Sequence, residues 1–377
     1  MLASQIQISF RRMVSQSMFR KLSKRCFGLS VLGLVAASSL ARYFEQGNQD
    51  LELSGLPQVE WAEVQNCCGV VQVALENNVV CFDLDYRRGG LQSFCELSPL
   101  SEAYSWYLQM AKSFLQDVLR NARLRLKVAW RIEDDSTISE SNLRILKELG
   151  IVAVAHSVHK NANTTLYTTF VPNFHFIETH GFRKLIQELE NPEVPLQHRR
   201  PSVFWAGSTT GLPCGSVKPC ENTCDNIQRV KLVQLGNALT WTSFSITRAI
   251  QWCTSDALRL QDLTTEYVKE VDWIQHRGLI DVDGNVDAWG LTWRLASGSV
   301  VFRVRSSYLN YFSDRILEGI HFLSIAEDLS DLAEVTAKVT LMQNADELSR
   351  ISQNAKKVIL ENSYDTIVDT VSKVLGG

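Results

Sequence analysis

Apolar positions recur along the chain in two periods, and the period changes at recognisable punctuation. Ser101 can cap a helix on which Tyr104, Tyr107, Leu108, Ala111, Leu115 and Leu119 recur at three and four residues. Leu124–Trp130 then alternates as a strand does. Thr137–Glu140 has the form of a capping box opening a helix through Leu149, with Gly150 placed to end it. Ile151–Ala155 is a continuous apolar run, the pattern of a strand buried on both faces of a parallel sheet.

After the polar, proline-bearing segment Asn191–Pro201 the grammar repeats. Ser202–Ala206, Leu279–Val282, Ser299–Val304 and Ile320–Ile325 read as strands, separated by helical patterns that include Leu332, Val335, Val339 and Met342 on one face. Asp346–Leu375 reads as wholly helical. Two α/β domains with a cleft between them follow, with ligands expected at the carboxyl ends of strands. No internal repeat or low-complexity tract interrupts the pattern.

Length fits two domains: 377 residues against roughly 100 to 200 for each. A hydrophobic content of 45% with 21% charged residues excludes a disordered chain, and a net charge of −3 gives no sign of a nucleic-acid binder. Charge is uneven only at the start. Arg11, Arg12, Arg20, Lys21, Lys24 and Arg25 precede the apolar run Cys26–Ala37 without an acidic residue among them. That order suits a signal sequence, a surface helix or a basic segment lying on an anionic membrane; the run is shorter than the roughly 20 residues of a spanning helix. The nine cysteines do not form a disulfide framework by count, and the cluster Cys214, Cys220 and Cys224 matches no zinc spacing. Loop cysteines in a reducing compartment are the expectation. Asn163-Thr-Thr165 is a glycosylation sequon, meaningful only in a secretory setting.

Candidate chemistry gathers in four places. Asp281-Val-Asp-Gly-Asn-Val-Asp287 begins like a calcium loop, but position six is Val286 and position twelve Thr292, where that loop needs Gly and Glu. Turn chemistry explains it instead, with Gly284 supplying a positive φ. Trp205-Ala-Gly-Ser-Thr-Thr-Gly211 follows a strand and can turn backbone N–H groups and hydroxyls toward a phosphate, a plain turn being its bland alternative. Glu133-Asp-Asp135 sits where a strand runs out, suited to a general base facing the cleft or to a solvated loop before a helix. His156 and His159 read as ordinary polar loop residues, because no carboxylate or Cys lies near them to complete a metal site. Helix N-termini and small-residue loops converging on one sheet edge around Arg294, Ala296–Ser299, His321 and an N-cap at Asp328 or Ser330 would make an anion site.

The whole segment Gly278–Leu332 resembles glycosyltransferase family 90. Leu-Ile-Asp-Val-Asp-Gly-Asn, Trp-Gly-Leu, Leu-Ala-Ser-Gly-Ser-Val-Val and Asp-Leu-Ser-Asp-Leu follow the family's order and spacing. Val171-Pro-Asn-Phe174 and the Trp205 loop extend the resemblance back to about residue 120, and Arg229 falls where the family has an arginine after that loop. Departures stand beside these matches: Ala206 and Gly290 replace family arginines, Leu317–His321 replaces a Pro-Trp step, and Phe322 replaces a tyrosine.

The resemblance implies a GT-B fold of two Rossmann-like domains with a cleft between them and a helical C-terminus. The corresponding partition is a basic and apolar segment at 1–45, an acceptor domain at 46–195, a nucleotide-sugar domain at 196–345, and helices at 346–377 packing back on the cleft. It further implies an inverting, metal-independent transferase moving a sugar from a nucleotide diphosphate, expected to be UDP, to a glycan or lipid-linked acceptor such as lipopolysaccharide. No cofactor is expected, the nucleotide sugar being a substrate. Asp134 is the positional match for the base, with Asp135 beside it. Donor contacts fall on Gly207, Ser208, Thr209, Arg229, Asp283, Gly284, Trp289, Arg294, Ser299, His321 and Asp328. The alternatives are a catalytically degenerate glycan-binding or scaffolding member, or a luminal protein O-glycosyltransferase. The expected location is cytoplasmic, with peripheral contact to a membrane allowed, and the Golgi or ER lumen is the alternative.

Overall fold

The computed structural model describes residues 79–85, 90–95, 102–122, 125–135, 137–148, 150–161, 168–190, 194–211, 223–341 and 344–376. The basic N-terminal segment, Ser101, the sequon at Asn163, Cys214, Cys220 and Met342 lie outside them.

The first half is built on β1 (Val79–Asp85), β2 (Gly90–Cys95), α1 (Glu102–Asn121), β3 (Arg125–Arg131), α2 (Glu140–Glu148), β4 (Ile151–Ala155), β5 (Ser157–His159) and β6 (Thr168–Phe170). Its five-stranded sheet has the order β2-β1-β3-β4-β6. Strands β3, β4 and β6 are parallel, whereas β1 runs antiparallel to both neighbours. Alternation assigns the faces. Val80, Phe82 and Leu84 pack in one core with Ala111, Phe114, Leu115 and Val118 of α1; Val79 and Cys81 point into another with Leu143 and Leu146 of α2. Helix α2 starts at Glu140, later than the capping box predicts, because Thr137 Oγ1 is taken by the N–H of His159 at 3.1 Å. Gly150 ends the helical segment with φ +66°, as expected of a C-terminal glycine.

Short helices α3 (Phe174–Glu178) and α4 (Arg183–Glu190) lead into the second half. There β7 (Arg200–Ser208), α5 (Gln228–Gly236), β8 (Thr242–Arg248), α6 (Ser255–Leu260), α7 (Glu270–Trp273), β9 (His276–Asp281), α8 (Leu291–Ala296), β10 (Val300–Val304), β11 (Tyr308–Asn310), β12 (Leu323–Ile325) and α9 (Leu332–Ala337) follow. The sheet β12-β10-β9-β7-β8 is parallel throughout. Numbered within itself it reads 2-1-3-4-5, the doubly wound order whose switch point lies between its first and third strands, here β7 and β9. Continuous runs such as Val300–Phe302 are fully buried, as a sheet covered on both faces requires.

The C-terminal stretch is two helices, α10 (Ala345–Glu361) and α11 (Tyr364–Gly376), not one. Asn362 turns its amide onto Val358 O at 2.8 Å and Ser363 Oγ accepts from Thr366 N, so a stop and a new N-cap stand side by side. Helix α11 returns to the first half. Tyr364 donates to Asp117 Oδ2 at 2.8 Å and Ser372 to Val118 O at 3.0 Å, both acceptors on α1. A second tie is the antiparallel pairing of β5 with β11, which places Ser157 opposite Asn310.

Candidate active site

Strand β3 delivers Asp134 to the carboxyl edge of the first sheet, and β7 and β9 deliver their loops to the carboxyl edge of the second. The two edges meet. Asp134 Oδ1 accepts from Tyr107 Oη at 2.7 Å within its own half, and Oδ2 accepts from Asn285 Nδ2 at 3.0 Å across the cleft. Its backbone carbonyl lies 3.0 Å from His156 Nε2. Trp130 Nε1 donates to His156 Nδ1 at 3.4 Å, which leaves the ring proton on Nε2 for Asp134. Burial lowers the His156 pKa to about 4 against the pull of the Asp134 charge, so the ring is neutral at pH 7. His156 is thus a fully buried support for the Asp134 loop and not the polar loop residue that its sequence context suggests. Asp135 turns elsewhere, its Oδ1 taking the N–H of Thr137 at 2.8 Å.

In the second half, Arg229 fastens the β7 loop to the β9 loop. It donates from Nε to Asp283 O at 2.8 Å, from Nη2 to Val282 O at 3.1 Å, and from Nη1 to Ser208 O at 3.3 Å and to Thr210 Oγ1. Trp205 lies under it at 5.8 Å, and burial lowers its pKa to about 10. Close approach of the loops accounts for the glycine at 284. A Cβ there would stand 2.9 Å from Thr210 Oγ1 and 3.1 Å from Arg229 Nη2, while the residue does not adopt the positive φ expected of it. Thr209 is buried, with Oγ1 donating to Ile250 O and accepting from Ile250 N, each at 2.8 Å. Ser208 Oγ lies 3.3 Å from Thr210 Oγ1, and Gly207 precedes it on β7.

The acidic residues of Asp281–Asp287 are already partnered. Asp281 pairs with Arg294 at 2.8 Å and lies 3.6 Å from Arg303. Asp283 accepts from Ser306 at 2.6 Å; burial raises its pKa to about 7 despite that bond and the nearby Arg303. Asp287 accepts from Asn310 Nδ2 at 2.7 Å, and burial raises its pKa. Among the described residues no group of three or more His, Cys, Asp or Glu side chains is arranged to hold a metal ion.

The remaining predicted residues divide by location. Trp289 reaches into the first half, within 6.1 to 6.4 Å of Trp106, Tyr107, His156 and Phe174. Arg294 is half-buried between Trp273 and Trp293 at 5.4 and 5.1 Å and bound to Asp281, so its cation is turned inward. Ser299 stands at the opposite edge of the sheet: it precedes β10, donates to His276 O at 2.9 Å and accepts from Arg199 at 2.7 Å. A residue entering a parallel strand belongs to the amino edge, so Ser299 does not join the anion site that the sequence pattern gathers around it. His321 Nδ1 accepts from Leu317 N at 2.8 Å within its own turn. Asp328 bonds Ser330 in an exposed turn, and the cap position of α9 falls to Asp331, whose side chain takes the N–H of Ala326.

Tyr107, His156, Gln251 and Asn285 were not among the residues predicted for the site. Tyr107 carried only a helical-face signal, and Gln251 none. Nor did sequence expose the disulfide. Cys224, just before α5, is joined to Cys253, just after β8, where separate loop thiols were expected.

Three comparisons bear on this arrangement. The sequence model described as Glycosyl transferase family 90 matches residues 170–376, more than half of the chain. Protein O-glucosyltransferase 2 of Danio rerio is 34% identical over 95 residues, which are 25% of this chain and 17% of that protein, so the chain matches under a fifth of that relative's length. The crystal structure of the pneumococcal O-GlcNAc transferase GtfA in complex with UDP and GlcNAc shares 11% identity, covers 63% of this chain and 54% of its own, and has a TM-score of 0.33, too low to bear on mechanism. With that match running from the end of β6 through α11, the chain belongs to glycosyltransferase family 90.

Proposed function

We propose that this chain is an inverting glycosyltransferase of GT-B architecture that uses a nucleotide-diphosphate sugar, with UDP as the expected nucleotide, and a hydroxyl acceptor on a glycan, glycolipid or protein. One observation carries the reading. Asp134, at the carboxyl end of β3, meets the turn at the carboxyl end of β9, beside the β7/β9 switch point where doubly wound sheets bind their ligands. Asp134 would take the proton of the acceptor hydroxyl as its oxygen bonds to the anomeric carbon. The diphosphate leaves from the opposite face with the electrons of the broken C–O bond. Charge for that leaving group would come from exposed Arg248, which closes β8, or exposed Arg305, just past β10, since Arg229 is engaged by loop acceptors and the charge of Arg294 is paired with Asp281. No metal enters this reading, and the partnering of Asp281, Asp283 and Asp287 supports that.

The Cys224–Cys253 disulfide supports an oxidising compartment, hence the luminal alternative over a cytoplasmic one. The name of the Danio relative supports glucose as a first donor to try. A second reading, a degenerate member that binds glycans or scaffolds other enzymes, draws support from Ala206, buried within β7, and from Gly290, where the resemblance places arginines.

The test is donor hydrolysis and transfer with UDP- and GDP-sugars, with EDTA added in parallel, alongside nucleotide-dependent thermal shift. Asp134→Asn should lose about 10²- to 10⁴-fold in turnover while keeping the UDP shift. A shift without turnover in wild type would favour the degenerate reading; neither shift nor turnover would sink the enzyme reading. Abolition by EDTA would overturn the metal-free mechanism.

A further inference from the structure

We propose, on the reading of Asp134 as the base, that Asn285 is its positioning residue and that Gln251 ties this position to the donor loop. A continuous hydrogen-bond chain runs between the halves. Gly211 N donates to Gln251 Oε1 at 3.1 Å, Gln251 Nε2 to Asn285 Oδ1 at 2.9 Å, and Asn285 Nδ2 to Asp134 Oδ2 at 3.0 Å. Its polarity is forced at both ends. An ionised carboxylate only accepts, so Asn285 presents its amide N–H to Asp134; a backbone N–H only donates, so Gln251 presents its oxygen to Gly211. Both side-chain amides are thereby oriented without ambiguity between their N and O atoms.

The chain is anchored where it leaves the donor loop. Gln251 has φ +57°, an uncommon conformation for a residue with a side chain. The two Thr209 bonds to Ile250 precede it, and the disulfide at Cys253 follows it. These restraints aim the Gln251 amide at Asn285. On the other side Tyr107 holds Asp134 Oδ1. Each carboxylate oxygen has accepted one bond and keeps a lone pair, so Asp134 is fixed in orientation and still able to accept the proton of a hydroxyl. Among the described residues, Asn285 alone of the donor half hydrogen-bonds the carboxylate. The base therefore takes its working orientation when the two loops and the first half are assembled together.

The experiment compares wild type, Asn285→Ala, the isosteric Asn285→Asp, Gln251→Ala, Asp134→Asn and Asp134→Asn/Asn285→Ala in the full chain. It measures kcat and donor KM with a UDP- or GDP-sugar that wild type turns over, and UDP affinity by calorimetry. Asn285→Ala should lower kcat about 10- to 100-fold, with KM and UDP affinity within about twofold. Asn285→Asp keeps the shape but cannot donate and sets a second carboxylate against Asp134, so it should lose at least as much. Gln251→Ala should fall between Asn285→Ala and wild type. If Asn285 acts through Asp134, the double variant is no slower than Asp134→Asn alone. A kcat within twofold of wild type for Asn285→Ala, a loss confined to KM, or multiplying losses in the double variant would overturn the inference. Wild type separates the two readings: an inactive protein that binds no UDP removes the functional reading and this one with it, whereas active wild type with an indifferent Asn285→Ala removes this one alone.

Discussion

A guanidinium whose donors end on four acceptors from two loops has no substitute in an ammonium. Arg229 reaches Val282 O, Asp283 O, Ser208 O and Thr210 Oγ1 from a planar fork. A lysine offers donors from one point and can serve only some of these acceptors. Arg229→Lys is therefore expected to lose about 2 to 4 kcal/mol of stability, from buried carbonyls left without donors. Urea denaturation checks this; a loss under 1 kcal/mol would mean that water replaces the fork. The same partnering explains why the sequence misled about cations. Arg229 and Arg294 stand in the segments expected to face a diphosphate, yet their acceptors, Asp281 and the loop carbonyls, come from the same segments. Position in a motif places a side chain near a site; which way it turns depends on acceptors contributed by other strands.

Elements with a clear period were the most legible in both halves. Buried parallel strands such as β4, β7 and β10 advertise themselves as apolar runs, and α1 shows its face through residues at three and four. Strand β8, Thr-Ser-Phe-Ser-Ile-Thr-Arg, was missed because an edge strand needs few apolar residues; only Phe244 and Ile246 are buried. Three-residue strands β5 and β11 carry no period at all and exist because the halves meet there. Ser299 shows that a motif must be assigned to a strand's beginning or end before it is assigned a ligand.

The disulfide ties two elements together, joining the segment before α5 to the loop after β8. Closing a separation of 29 residues stabilises the chain by about 3 to 4 kcal/mol in the loop-entropy account. Cys253→Ser should lose an amount of that order in urea denaturation. Non-reducing peptide mapping should recover the Cys224 and Cys253 peptides as one species. Alkylation of both thiols before reduction would overturn the bond and, with it, the support for an oxidising compartment.

Over the whole molecule, the sheets are held together among the described residues by the Asp134–Asn285 bond and by three larger contacts. Trp289 enters the aromatic cluster of Trp106, Tyr107, His156 and Phe174; β5 pairs with β11; and α11 crosses back onto α1. Aromatic pairs of this kind contribute about 0.5 to 1.5 kcal/mol each beyond the area they bury. The α11 contact adds fully buried Ile367 and nearly buried Val368 and Val371. Together these equal a substantial fraction of a typical domain stability of about 5 to 15 kcal/mol, so neither half should unfold at equilibrium while the other stays folded. Unfolding followed by far-ultraviolet dichroism and by tryptophan fluorescence should give one coincident transition. Ile367→Ala removes buried methyl groups from the α11 seam and should cost about 2 to 5 kcal/mol. Because the seam is shared, that loss should move both probes together. A variant in which fluorescence and dichroism separate would mean that α11 serves one half only, and that the cleft edges bearing Asp134 and Asn285 meet without a rigid frame behind them.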